Sequence, residues 1–360
     1  MTDVVAARPV PIWVSGDDAP VTGLGPMPGT DPLEAARTVA GELPGFPHLP
    51  QLPERGPSGS AAGRTAALLV DVHVDLQPSG WRVTDRPGRD ETRARSALSS
   101  DLDAAEQVWD GYTGPFKITA LGPFSLAVAL DRPRGDAVLA DSGARRDVAD
   151  SLAEGLRQHL ADLHRRLPGA LPVVQLDEPL LVEVLAGAVP TASGFGRLRA
   201  VTEAEVRLTL RRIADAVAPV PLVVAVGGHL SAPSPDELPE SLLWDALAGA
   251  GVVGLGLDPS GAGTAELDRL AGLVEAGVTP WLSVVRVQPP PGPPMRAQDT
   301  AVRVVNLWTR LGFPAATATA GVVVTPDTGL ASLSGTAARR VLSMLTAIGQ
   351  AVAEEAGGRG

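Results

Sequence analysis

The sequence of 360 residues contains no cysteine, and only 3% of its residues are aromatic. Disulfide bonds, cysteine nucleophiles and cysteine metal ligands are therefore excluded. With so few aromatic residues, a buried core must consist mainly of alanine, valine and leucine. The chain also has no excess of basic residues, since its formal net charge is −11. This charge argues against a nucleic-acid partner and against an anionic membrane surface, so we expect neither.

Long apolar runs are missing as well. No stretch reaches the roughly 18 uninterrupted apolar residues that a membrane-spanning helix requires. The first residues also lack the basic and apolar segments of a secretory signal. We therefore expect a cytoplasmic protein.

Short β-branched runs alternate with longer amphipathic stretches, a pattern typical of βα units around a parallel sheet. Six clear apolar runs predict strands at residues 116–121, 172–176, 222–226, 252–257, 281–285 and 322–325. Two weaker runs, 21–25 and 81–83, bring the number to the eight that a closed barrel needs. Predicted helices cover residues 31–43, 142–166, 202–217, 240–250, 264–276, 296–311 and 334–355.

These elements predict an α/β fold, namely a (β/α)8 TIM barrel with an N-terminal extension. Residues 1–20 are expected to form the extension, and residues 21–360 a single barrel domain. Residues 64–74 fit either a helix or a strand, with helix preferred. Residues 43–63 and 288–294 are rich in proline or glycine and are expected to be lids or disordered loops.

Polar residues follow several of the predicted strands. In such barrels the active site lies at the carboxyl ends of the strands, where unpaired polar side chains would be costly to bury. The residues at these ends include Asp177, Glu178, His229, Asp258, Arg286, Asp327 and Thr328. Asp177 is predicted to face a ligand and to hold an ammonium group; the alternative is a carboxylate that caps a helix or pairs with an arginine. His229 is predicted to be a general base or a single metal ligand, or else a surface loop residue.

Several motifs together resemble the cobalamin-independent methionine synthase family in its short, single-barrel bacterial form. They are Gly-Leu-Gly-Pro-Met-Pro-Gly-Thr-Asp-Pro at 23–32, Pro-His-Leu-Pro-Gln-Leu-Pro-Glu-Arg-Gly at 47–56, Val-Asp-Leu-Gln-Pro-Ser-Gly-Trp at 74–81, Gly-Pro at 122–123, Gln-Leu-Asp-Glu-Pro at 175–179, Thr-Ala-Ser-Gly-Phe-Gly at 191–196 and Val-Thr-Pro at 324–326. The resemblance covers most of the chain. It implies a barrel that binds a small amino acid of the homocysteine or methionine type.

The resemblance also implies a zinc ion that activates the homocysteine thiol for methyl transfer. The family's four zinc ligands fall here on Ala225, Gly227, Gly256 or Asp258, and Thr328. Three of the four are therefore absent, so we expect no metal and no other cofactor. A zinc site rebuilt from His229, Asp258 and Asp327 stays open as an alternative. The family's ammonium-binding carboxylate corresponds to Asp177.

The expected function is thus amino-acid binding at the strand ends, with a possible S-methyltransferase activity that lacks the usual zinc site. The alternative is a non-catalytic homologue that acts as a binding or regulatory subunit. Asp177 and His229 are the predicted catalytic residues. The predicted substrate-binding residues are Met27, Gly122, Gln175, Glu178, Asp258, Asp327 and Thr328. The resemblance implies that a methyl donor, or a protein that carries it, would be a separate partner.

Overall fold

The structure is a computed structural model that describes residues 11–14, 16–229, 241–288 and 295–358. Its strands are β1 His73–Gln77, β2 Gly80–Thr84, β3 Pro115–Leu121, β4 Leu130–Asp131, β5 Leu171–Asp177, β6 Leu222–His229, β7 Gly254–Asp258, β8 Thr279–Val285 and β9 Val323–Pro326. Its helices are α1 Pro32–Glu42, α2 Ala61–Ala66, α3 Arg89–Val108, α4 Pro123–Ala129, α5 Ser142–Arg166, α6 Leu181–Ala186, α7 Glu203–Val217, α8 Ser241–Leu247, α9 Thr264–Glu275, α10 Ala297–Arg310, α11 Ala318–Gly321 and α12 Gly335–Gly357.

Six strands form a parallel sheet in the order β3-β5-β6-β7-β8-β9, with helices between successive strands. This sheet contains all six clear apolar runs of the sequence, and its strands are apolar because helices cover one side and the barrel interior lies on the other. The prediction of an α/β fold of the TIM-barrel type is confirmed. Assignment of residues 21–360 to one domain stays a prediction.

Two irregular segments join the outer strands of this sheet. Residues 20–22 pair in parallel with β9 around Val324, and residues 47–49 pair in parallel with β3 around Lys117. The two segments also pair with each other, between Pro26 and Gln51. Together with the six strands they make eight parallel segments around a ring. The weak strand predicted at 21–25 therefore takes part in the barrel.

Residues 81–83 form a strand as predicted, but this strand does not belong to the barrel. It lies in β2, which forms a separate three-stranded sheet with β1 and β4. The eighth barrel segment is instead residues 47–51, which had been predicted as loop. Residues 64–74 are divided, since α2 ends at Ala66 and β1 begins at His73. The proline-rich run at 289–294 lies outside the described residues.

The predicted helices form where the sequence supplies their caps. The side chain of Asp31 accepts hydrogen bonds from the first turn of α1, and that of Thr202 accepts one from Glu205 N in α7. The 20-residue helix α3 had not been predicted. Among the described residues, no helix combines the length and the apolar character needed to cross a membrane.

A cluster of apolar side chains fills the end of the barrel interior where the strands begin. It consists of Trp13, Phe46, Val173, Val223, Trp281 and Val323. The ring of Trp281 makes edge contacts with Trp13 and Phe46, with 5.5 Å between ring centroids in both pairs. Trp13 of the N-terminal extension thus packs against the base of the barrel.

Candidate functional site

A cavity of about 370 Å³ lies at the carboxyl ends of the barrel strands. This volume is within the range of small-molecule sites. Its lining combines small or apolar residues with polar ones: Leu24, Pro26, Gln175, Asp177, Pro179, Ala225, Gly227, Gly256, Asp258, Trp281, Ser283, Arg286, Thr325, Asp327, Thr328 and Gly329. Five of the predicted site residues therefore meet in one place, namely Gln175, Asp177, Asp258, Asp327 and Thr328.

Asp177 is the last residue of β5, and a chain of hydrogen bonds holds its carboxylate. Gln175 Nε2 donates to Asp177 Oδ1 at 2.6 Å, and Lys117 Nζ donates to Gln175 Oε1 at 2.6 Å. Asp177 and Gln175 are two residues apart on one strand, so both face the interior. Burial raises the pKa of Asp177 to about 6, while the bond from Gln175 and the charge of Lys117 oppose that shift. The carboxylate is thereby oriented toward the cavity.

Lys117 was not among the predicted site residues, although one property of the sequence distinguishes it. It is the only lysine among the 30 lysine and arginine residues of the chain. Its side chain is fully buried inside the barrel on β3. Burial lowers its pKa to about 7, and the Asp177 carboxylate opposes the shift. A lysine of this kind can lose its proton near neutral pH, whereas an arginine cannot.

The pKa of Lys117 gives a first testable expectation. Between the folded value of about 7 and the unfolded value of 10.5, the unfolded chain holds more protons, so stability should rise with pH. The contribution has a slope of at most about 1.4 kcal/mol per pH unit. The raised pKa of Asp177 has the opposite effect: stability should fall as the pH rises from 3.8, its unfolded pKa, to about 6, its folded pKa. Urea unfolding from pH 7 to 10 should show this rise in the wild type and not in Lys117→Met. Equal pH slopes in the two proteins would contradict it.

Glu178 follows Asp177 directly but lies away from the cavity. Its carboxylate accepts hydrogen bonds from Phe124 N at 2.9 Å, Ser125 N at 2.8 Å and Ser125 Oγ at 2.7 Å, all in the first turn of α4. A Cβ at Gly122 would lie 2.4 Å from Glu178 Oε1, so a glycine is needed there. Glu178 is fully buried and caps this helix. The capping role considered for Asp177 thus belongs to its neighbour.

Arg286, at the end of β8, joins the carboxylates of β7 and β9. Its Nη2 lies 2.9 Å from Asp258 Oδ2, and its Nη1 lies 3.5 Å from Asp327 Oδ2. Ser260 donates to Asp258 Oδ1 from both its backbone nitrogen and its hydroxyl. Val287 N donates to Asp327 Oδ1 at 2.9 Å. Arg286 thus connects carboxylates from two neighbouring strand ends at the wall of the cavity.

Three predicted site residues do not line the cavity. Glu178 and Gly122 form the helix cap just described, and Met27 is buried in the apolar core with its backbone bonded to Gln51. Substrate binding by these three residues stays a prediction. His229 ends β6, and its backbone pairs in register with Asp258. The side chain of His229 lies outside the description, so its predicted catalytic role stays a prediction.

The residues at the four zinc positions of the methionine synthase family do not fit a zinc ion. Ala225 and Gly227 line the cavity but carry no donor side chain, and Thr328 offers only a hydroxyl. At the acidic position, Gly256 has no donor, whereas Asp258 would supply one carboxylate. Gly227 has a φ of 59°, where a cysteine would be strained. In the described part of the chain, no group of three or more His, Asp or Glu side chains could hold a metal. The predicted absence of zinc stays a prediction, as does a site that includes His229.

Comparison with protein-family models gives no match for this chain, and comparison with curated proteins gives none either. Among solved structures, a B12-independent methionine synthase from Shewanella sp. W3-18-1, in complex with selenomethionine, is similar with a TM-score of 0.58 and 12% identity, covering 94% of this chain and 98% of that chain. GH5_18 from Streptomyces cattleya, in complex with GlcNAc, gives a TM-score of 0.44 and 17% identity over 93% of this chain and 80% of its own. The first likeness shows a distant relationship in fold and nothing finer; the second is too low in TM-score to support an argument.

Proposed function

We propose that this barrel binds a small amino acid of the homocysteine or methionine type through its ammonium group. The observation that carries the proposal is the carboxylate of Asp177 at the cavity wall, held by Gln175 Nε2 at 2.6 Å. An ionised carboxylate with a fixed orientation is a good acceptor for an ammonium group. The apolar lining by Leu24, Ala225 and Trp281 suits an aliphatic side chain.

The charge of the cavity supports the same class of ligand. Three carboxylates, those of Asp177, Asp258 and Asp327, line the cavity together with the guanidinium of Arg286. Several carboxylates on one cavity wall favour a ligand that presents a cation. The methionine synthase of similar fold was solved with selenomethionine, an amino acid of this class.

If the barrel is an enzyme, we propose S-methyl transfer as its reaction class. At the family's zinc positions at most one residue, Asp258, would supply a metal ligand, so the proposed reaction does not include zinc. A methyl donor, or the protein that carries it, would enter from the open end of the barrel. No feature of the described residues favours the alternative of a non-catalytic homologue.

Calorimetric titration with matched ligands tests the binding proposal. L-Methionine and L-homocysteine should bind at pH 7.5, and 4-(methylthio)butanoate, which lacks only the amino group of methionine, should bind about 100-fold more weakly. That ratio corresponds to about 2.7 kcal/mol, a reasonable value for a charged hydrogen bond. Equal affinity for methionine and its desamino analogue, or no binding of either amino acid, would contradict the proposal.

A further inference from the structure

We propose that Lys117 couples ligand binding to proton release: when an ammonium group binds Asp177, the ammonium of Lys117 loses a proton to the solvent and stays as a neutral amine. This inference rests on the proposed function. In the step, an N–H bond of Lys117 breaks, its electron pair stays on Nζ, and the buffer accepts the proton.

The geometry places two cations on one carboxylate. Lys117 reaches Asp177 through a single intermediate, because Gln175 accepts from Lys117 Nζ and donates to Asp177 Oδ1, both at 2.6 Å. Lys117 and Gln175 are fully buried, and Asp177 opens onto the cavity. The ligand ammonium would therefore approach Asp177 from the cavity side, opposite to the approach of Lys117.

The other groups around Lys117 do not stabilise its charge as a carboxylate would. Thr119 Oγ1 lies 3.4 Å from Nζ, and the ring of Trp281 has its centroid at 6.0 Å. His48, whose backbone pairs with Lys117, is 1% exposed, and neither ring nitrogen has a hydrogen-bond partner among the described residues. Burial and the charge of Lys117 both lower the pKa of His48, so its ring is neutral. Asp177 is therefore the charge that supports the ammonium form of Lys117.

A ligand ammonium on Asp177 removes that support. Burial then lowers the pKa of Lys117 with less opposition from the Asp177 carboxylate. In addition, two positive charges share one carboxylate in a poorly solvated interior. Loss of the proton relieves both effects. The amine can still donate an N–H to Gln175, so the hydrogen-bond chain stays intact.

The residue type agrees with this role. Lys117 is the only lysine in this sequence, beside 29 arginines. A guanidinium stays charged at any physiological pH, and its planar fork differs in shape from an ammonium. An arginine could therefore not release a proton at this position.

The single lysine makes the test direct. In protein labelled with [13C]lysine, the Cε resonance of Lys117 is the only lysine signal, and its pH titration can be followed with and without ligand. Saturating L-methionine should lower the titration midpoint by about one pH unit or more, which corresponds to a tenfold coupling. The same concentration of 4-(methylthio)butanoate should leave the midpoint unchanged. An unchanged midpoint with methionine bound would overturn the inference.

A variant supplies an independent measurement. Lys117→Met keeps an unbranched side chain but removes the competing cation. With a free pKa of about 7 for Lys117 and a shift of about one pH unit on binding, the affinity of the variant for L-methionine at pH 6.5 should be about threefold higher than that of the wild type. Equal or weaker affinity in a folded Lys117→Met protein would contradict the coupling. Binding of methionine without any response at Lys117 would disprove only this inference. Failure of the wild type to bind methionine would disprove the proposed function along with it.

Discussion

Replacement of Asp177 by asparagine should lower the affinity for L-methionine at least about 100-fold while leaving the thermal midpoint nearly unchanged. An asparagine keeps the shape and can still accept the hydrogen bond from Gln175 Nε2 through its amide oxygen. It loses the negative charge, and its amide nitrogen would face the ligand ammonium. Such a loss of a charged partner costs about 3 kcal/mol. Calorimetric titration and thermal unfolding of the same preparation measure both quantities.

The pH dependence of binding follows from the same carboxylate. Burial raises the pKa of Asp177 to about 6, so affinity should fall as the pH drops below this value and the carboxylate becomes protonated. The matched control for Asp177→Asn is Asp110→Asn, which makes the same substitution at an exposed residue just before β3, at the other end of the barrel. This control should bind like the wild type. A strong loss of stability in Asp177→Asn would instead identify Asp177 as a structural acid.

Replacement of Glu178, the residue after Asp177, should lower stability and leave ligand binding nearly unchanged. Glu178→Ala should lower the free energy of unfolding by about 3–5 kcal/mol, because three hydrogen-bond donors of α4 lose their acceptor and a cavity remains. Where the variant still folds, its affinity for L-methionine should change little, since Glu178 does not line the cavity. Urea unfolding and calorimetry provide the two measurements.

Glu183→Ala is the matched control for this substitution. Glu183 is exposed on α6, a few residues further along the chain, so its replacement should change stability by less than about 0.5 kcal/mol. A Glu178→Ala protein as stable as Glu183→Ala would show that the cap of α4 contributes little. A selective loss of methionine binding would mean that Glu178 reaches the ligand.

The sequence predicted the six central strands because each is a short apolar run that is buried on both sides. The ring is completed by residues 20–26 and 47–51, which carry several prolines and pair at only a few positions. Proline cannot donate to a strand ladder, so the segment 47–51 had the composition of a loop. The run at 81–83 had strand composition but belongs to a separate sheet, and composition alone does not identify the partner of a strand.

The position of Asp177 at a strand end could be predicted, since the carboxyl ends of parallel strands meet at one end of a barrel. Adjacent residues of a strand face opposite sides, so one of Asp177 and Glu178 had to turn toward the helices. Lys117 lies on β3 four residues before Leu121, which pairs with Asp177, and the run around it is mostly apolar. Its role depends on contacts with Gln175 and Asp177, which are distant in sequence and visible only in the folded chain.

The pairing around the barrel is uneven. Among the described residues, each of the three joints that involve the segments 20–26 and 47–51 is made by two backbone hydrogen bonds. By contrast, β3 and β5 stay in register over seven residue pairs. Local opening is least costly where few backbone bonds must break, so this side of the barrel forms a seam. Lys117 belongs to one of the three joints, which places the buried amine next to the part of the wall that solvent can enter most easily.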